Sequence, residues 1–252
     1  MTTLHRKLAN GIIGVVILLS SALFANNRDI LPSSFSSSIQ DKEILKIYLV
    51  RHGETQWNSE GRFQGQIDIP LNDIGISQAL ATARASLRWG LTALYSSPLK
   101  RTIQVSQHIS SITGIPINLD PGLMELNLGS LEGITGNDMR RNWPEVWNQW
   151  RLDPSLVSMP KGESLISLSD RCWESFDNIQ RNHTDDDQIA IVSHNFAIRC
   201  ICARILQIPL HNFHSMTLSL SSITTVELFR DSWRLLSYNS VSHLINYSGP
   251  NI

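Results

Sequence analysis

The chain has 252 residues, 42% of them apolar and 17% charged, which suits a globular body of about one ordinary domain once a tail is set aside. A net charge of -1, with no basic face or stripe, excludes nucleic acid as the expected partner. Cys172, Cys200 and Cys202 are an odd count without metal-ligand spacing, so small buried hydrophobes are their expected role.

His5, Arg6 and Lys7 precede an uncharged stretch over 8–27 whose apolar heart covers 11–25. Residues 1–27 read as a membrane-targeting segment. A cleaved signal peptide, with Ser20 and Ala22 as the small-residue pair, and an uncleaved anchor associated with the membrane through 8–27 both fit. In either case the basic flank stays inside, which predicts that the rest is exported or tethered on the non-cytoplasmic side. Residues 28–42, with Pro32 followed by Ser33, Ser34, Ser36, Ser37 and Ser38, have the composition of a flexible linker. The folded body is expected over 43–252.

Within that body, Ile44 to Val50 reads as a buried strand that stops at Arg51-His52-Gly53, where the glycine is expected to permit a sharp turn. The spacing predicts a helix over Asn72–Trp89 with Ile76, Leu80, Ala83 and Leu87 inward. A short strand over Leu91–Tyr95 follows, then a helix started by Ser97 as cap and Pro98 in its first turn. Pro116 to Asp120 reads as a strand, and Ser164 caps a helix facing Leu165, Leu168, Cys172, Phe176 and Ile179 inward. Gln188 to Val192 is a core strand ending at Ser193-His194-Asn195, before a helix carrying Ile198, Ile201 and Ile205. Ile223–Phe229 and Trp233–Tyr238 suggest a terminal hairpin. This alternation predicts an α/β fold, a mostly parallel sheet with helices on both faces.

Three of the strands are followed within one turn by a strongly polar residue: Arg51 and His52, then Arg101, then His194. If those strands are parallel neighbours, the side chains converge over one edge of the sheet, with the helix starting at Ser97 adding its positive end. Two guanidinium forks and two imidazoles suit a phosphate dianion.

These segments resemble the histidine phosphatase superfamily, with its phosphoglycerate mutase-like fold. The resemblance rests on Arg51-His52-Gly53-Glu54-Thr55 with Asn58, on Gly61 to Gly65, on Ser96 to Arg101, on Glu125 to Gly129 with Glu132-Gly133, on Gly162-Glu163-Ser164, and on Ser193-His194. It implies that His52 attacks phosphorus and carries the phosphoryl group, and that Arg51, Arg101 and His194 hold the non-bridging oxygens. Asn58 would add a neutral hydrogen bond, and Gln64 and Gly65 would meet the leaving portion of the substrate. Glu125 would protonate the departing oxygen and later draw a proton from water. No cofactor is implied. His52, His194 and Glu125 also form a two-histidine, one-carboxylate set, but two adjacent arginines would repel a cation, and no metal is expected.

Two departures stand out. Asn195 occupies a position that is often glycine in the superfamily, so a side chain narrows the pocket or adds a contact. The segment Met139 to Pro154, with Trp143, Trp147 and Trp150, is expected to form part of a small helical cap, its tryptophans either packing or touching an apolar leaving group. Glu125 and His194 stand only 69 positions apart, which resembles the phosphatase branch. The expected activity is therefore hydrolysis of a small phosphorylated metabolite through a phosphohistidine. Phosphoglycerate mutase-type transfer and an inactive phosphate-binding module are the alternatives. The natural substrate and the oligomeric state are not legible.

Overall fold

The computed structural model describes residues 44–245. The expected targeting segment and linker lie outside the described residues. Among the described residues no helix is long and apolar enough to cross a membrane.

The first half of the domain comprises β1 (Leu45–Arg51), α1 (Gln56–Ser59), α2 (Asp73–Ser86), β2 (Ala93–Ser96), α3 (Lys100–Thr113) and β3 (Ile117–Leu119). The second half comprises α4 (Gly136–Asn142), α5 (Pro144–Leu152), α6 (Leu165–Arg181), β4 (Gln188–Ser193), α7 (Asn195–Ile205), β5 (Ile223–Phe229) and β6 (Ser232–Ser240). The six strands form one sheet in the order β3-β2-β4-β1-β5-β6. The first four are parallel neighbours, and β5 and β6 add the expected hairpin as an antiparallel edge. β1, β4 and β2 lie side by side with Arg51 opposite Ser193 and Ser96 opposite Val192. Their carboxyl ends are therefore level, which is what brings the polar residues after each strand together.

Alternation along the central strands feeds two cores. Leu45, Ile47, Leu49, Ile189 and Ile191 point to the face that packs α6 and α7. Val50, Leu94, Ala190 and Val192 point to the face that packs α2 and α3. Fully burying each such leucine, isoleucine or valine side chain contributes about 1.5–3 kcal/mol. α6 buries the expected stripe of Leu165, Leu168, Cys172, Phe176 and Ile179, and Ser164 caps it by accepting from Ser167 N. The cysteines are free and buried, as expected.

Three expectations need correction. α2 is shorter than Asn72–Trp89, with Asn72 as its cap, and it buries Gly75, Ala79, Thr82, Ala83 and Ser86 rather than the larger aliphatics. Leu87 is the C-cap residue and is exposed, while at the start of the helix Gly75 lies against the backbone of 53 and 54. Gly53 is needed for that approach and not for a left-handed turn: a Cβ there would lie 2.7 Å from Gly75 O. Finally, α3 starts at Lys100 with Leu99 in the cap position and no side-chain cap. Its first amide donates to Asp68 Oδ1 at 2.6 Å, so its positive end is answered by a carboxylate, leaving Ser97 for another task.

The cap is present as α4 and α5. Thr135 and Asp138 close a reciprocal capping box on α4, and Pro144 sits in the first turn of α5. Trp143, Trp147 and Trp150 are partly buried against the main core, so packing is their observed role.

Candidate active site

One cleft is walled by Arg51, His52, Asn58, Gln64, Gly65, Arg101, Glu125 and Asn195, together with Arg62, Phe63, Leu128 and Phe196. Eight of the nine residues expected from sequence thus share a single cavity. The ninth, His194, lies fully buried behind them.

His52 leaves β1 almost completely buried, and its Nδ1 lies 2.7 Å from Gly53 O. A carbonyl only accepts, so Nδ1 carries the proton and Nε2 keeps its lone pair. Burial, then the charges of Arg101 and Arg51, hold this imidazole well below its ordinary value of 6.5. It is neutral at physiological pH, the state a nucleophile requires.

Arg101 is fully buried in α3. Its Nη2 and Nη1 donate to Gly65 O at 2.7 Å and Ile67 O at 2.9 Å, and its Nε to His194 Nδ1 at 3.3 Å. Three of its five hydrogens are used, and two are left for a ligand. Arg51 donates through Nη1 to Leu218 O, and its Nε is buried without a protein partner. Burial draws both guanidiniums down to about 10, opposed by Glu125, and at neutral pH both remain cations. Asn58 Oδ1 accepts from Thr55 N at 3.1 Å and Thr55 Oγ1 at 3.0 Å. This capping box fixes the amide so that its NH2 group remains free to donate. Gly65 has φ +55°, a backbone conformation that side-chain-bearing residues rarely adopt, and a Cβ there would lie 2.1 Å from Glu132 Oε1.

His194 accepts from Arg101 at Nδ1, so its Nε2 carries the proton and donates to Ser97 Oγ at 2.8 Å. Its ring meets that of His52 at 5.3 Å between centroids, near edge-on. Burial and Arg101 hold it well below 6.5 as well. With both nitrogens engaged, it does not gather with His52 and Glu125 as a metal-binding group. Among the described residues no cluster of three or more ligating side chains does so.

Neutral burial of His52 and His194 has a sign in pH. Their folded values lie below 6.5, so the unfolded chain takes up more protons as pH falls through 6.5. Stability is full above that point and declines below it, by up to about 1.4 kcal/mol per pH unit for each histidine. His243, also lowered by burial, adds to the effect. Urea midpoints should drop between pH 7 and 5, and less steeply in His194→Gln.

Glu125 is buried at the opposite wall, where Oε1 accepts from Leu126 N at 2.9 Å and Phe196 N at 3.1 Å. Its carboxylate therefore rests on the positive end of α7. Arg171, which sequence reasoning did not single out, fixes this segment. Its Nη1 donates to Gly122 O and Met124 O, and its Nη2 to Glu125 O and to Glu163 Oε1 at 2.6 Å. Its signal was a charge beside the inward stripe of α6, one residue from Cys172. Ser97 and the phenylalanines at 63 and 196 were also missed as parts of the site.

A free imidazole nitrogen among unneutralised guanidiniums, facing a buried carboxyl at the carboxyl edge of a parallel sheet, defines a centre built to handle phosphoryl groups. Residues 47–241 match the histidine phosphatase superfamily (branch 1), and the chain belongs to that family and is an enzyme of it. It is 33% identical over 207 residues to the metal-independent phosphoserine phosphatase of Arabidopsis thaliana, covering 81% of this chain and 85% of that one. It is 35% identical over 208 residues to the probable phosphoglycerate mutase GpmB of Escherichia fergusonii, covering 80% and 95%. Among solved structures, Bacillus stearothermophilus YhfR superposes with a TM-score of 0.76 at 28% identity, covering 79% of this chain and 99% of that one.

Proposed function

We propose that the protein hydrolyses small phosphomonoesters through a phosphohistidine on His52, without a metal. The observation that carries this reading is the His52 imidazole, its Nδ1 committed to Gly53 O and its Nε2 free in a cleft lined by Arg51 and Arg101. Nε2 attacks phosphorus, forming the N–P bond as the ester P–O bond breaks. Glu125 gives its proton to the departing alkoxide, then takes one from the water that displaces His52 and releases phosphate. Arg51, Arg101 and Asn58 donate to the non-bridging oxygens, and Gln64, Gly65 and Asn195 border the leaving group. In the resting site His194 is a positioning residue for Arg101, and a phosphate oxygen would compete with Ser97 for its Nε2 proton.

A phosphatase assay over a panel of phosphoserine, phosphoglycerates and sugar phosphates, with chelator present, tests this. Release of phosphate from any of them supports it, and none at any pH contradicts it. The similarity to a probable phosphoglycerate mutase favours a second reading. Interconversion of phosphoglycerates with a bisphosphate primer, and little free phosphate, would establish that one. The acid role makes a sharper prediction: Glu125→Gln slows alkyl phosphates by about 10²–10⁴-fold and 4-nitrophenyl phosphate far less. Equal slowing on both would remove Glu125 from proton transfer. The basic flank and uncharged stretch over 8–27 support a catalytic domain on the non-cytoplasmic side, which fractionation of the full-length protein tests.

A further inference from the structure

One turn of the chain, over 218–222, clasps the main chain of Arg51 and His52. Ser221 N donates to His52 O and Arg51 N to Ser222 O, both at 3.0 Å, and Arg51 Nη1 donates to Leu218 O. Ser222 N closes the turn on Ser219 O at 3.2 Å. The buried Ser221 stands at φ +57°, a left-handed conformation that a side-chain-bearing residue keeps only where its surroundings hold it.

Its side chain is held from α2 and from the short helical turn over Ser242–Leu244. Thr82 Oγ1 meets Gln78 O at 3.0 Å, Ser221 Oγ at 2.9 Å and His243 Nε2 at 3.1 Å. A hydroxyl has one hydrogen and a carbonyl can only accept, so Thr82 donates to Gln78 and accepts from both Ser221 and His243. Thr82 and Ser221 are fully buried, where an unpartnered polar group is costly. Gln78 secures the other side of the nucleophile, its Oε1 accepting from Glu54 N at 2.8 Å.

We propose that His243 is a positioning residue for the nucleophile: its Nε2 hydrogen fixes Thr82, Thr82 fixes Ser221, and Ser221 fixes the backbone that aims His52 Nε2 at phosphorus. The inference rests on the proposed role of His52, while its structural half is measurable without turnover. In the full-length protein, His243→Phe should lower kcat for 4-nitrophenyl phosphate at least about tenfold, because a small misplacement of reacting atoms is costly in rate. Kd for inorganic phosphate, read by calorimetry, should change far less. His243→Gln, whose amide can donate from nearly the position of Nε2, should restore kcat. Thr82→Val, isosteric and lacking the acceptor, breaks the next link and should give the same loss, whether or not His243→Phe folds. Combining the two should add nothing further.

The imidazole ¹⁵N resonances of His52, identified by their absence from His52→Ala, should shift in His243→Phe and Thr82→Val and return in His243→Gln. Wild-type kcat in Thr82→Val or His243→Phe, a loss that glutamine does not recover, or additive losses in the double variant would overturn the assignment. If no phosphomonoester is turned over at all, the hydrolase reading falls alone. Shifted His52 resonances would then still support the relay, and unmoved ones would refute it.

Discussion

His52→Ala lowers kcat/KM for phosphomonoesters by at least about 10⁴-fold, with little loss of stability. Removing a nucleophile eliminates the two-step route, and the oxyanion donors that remain give only residual acceleration. The fold should tolerate the change, because the His52 ring makes one side-chain hydrogen bond, to its own neighbour Gly53. Its loss also removes a buried imidazole whose protonation is disfavoured, so acid sensitivity should ease rather than worsen. Steady-state kinetics with urea melts at pH 7 and 5 checks both halves. Activity within tenfold of the wild type would remove His52 from the chemistry.

Arg101→Ala should be costly in two separate ways. It withdraws a preorganised cation from the developing charge, a loss of about 10²–10³-fold in kcat. It also strands the carbonyls of Gly65 and Ile67 and the Nδ1 of His194. An unpartnered buried polar group costs about 1–3 kcal/mol, so a visible drop in the denaturation midpoint accompanies the kinetic loss. Arg101→Lys should not rescue either, because one ammonium cannot reach three acceptors in the geometry of a planar fork. Restoration of kcat by lysine would show that charge alone suffices there.

Much of this site was legible in the chain because it hangs on strand ends. The oily runs before Arg51 and Ser193 identify β1 and β4, and parallel pairing then levels the ends at which His52 and His194 stand. α6 was readable because its buried stripe is made of large apolar residues. α2 was misread for the opposite reason. Its buried face is made of small residues such as Gly75, Ala79 and Ser86, to which hydropathy gives little weight, and Gly75 meets the backbone of 53 and 54. The tertiary hydrogen bonds were invisible. Nothing in Ser96 to Arg101 says that Ser97 serves His194 rather than a helix end, or that Asp68 takes the first amide of α3. Nor does the spacing of α6 reveal that Arg171 reaches three carbonyls on the segment bearing Glu125. Periodicity locates elements and their faces, whereas long polar side chains choose partners only after the elements are assembled.

Rapid quenching of the enzyme with ³²P-labelled phosphomonoester, followed by mapping of the modified residue, addresses the chemistry most directly. Acid-labile, base-stable phosphate on His52, absent from His52→Ala and more abundant in Glu125→Gln with a good leaving group, is the expected result. Turnover with label on another residue, or without any protein-bound phosphate, would contradict a phosphohistidine at His52.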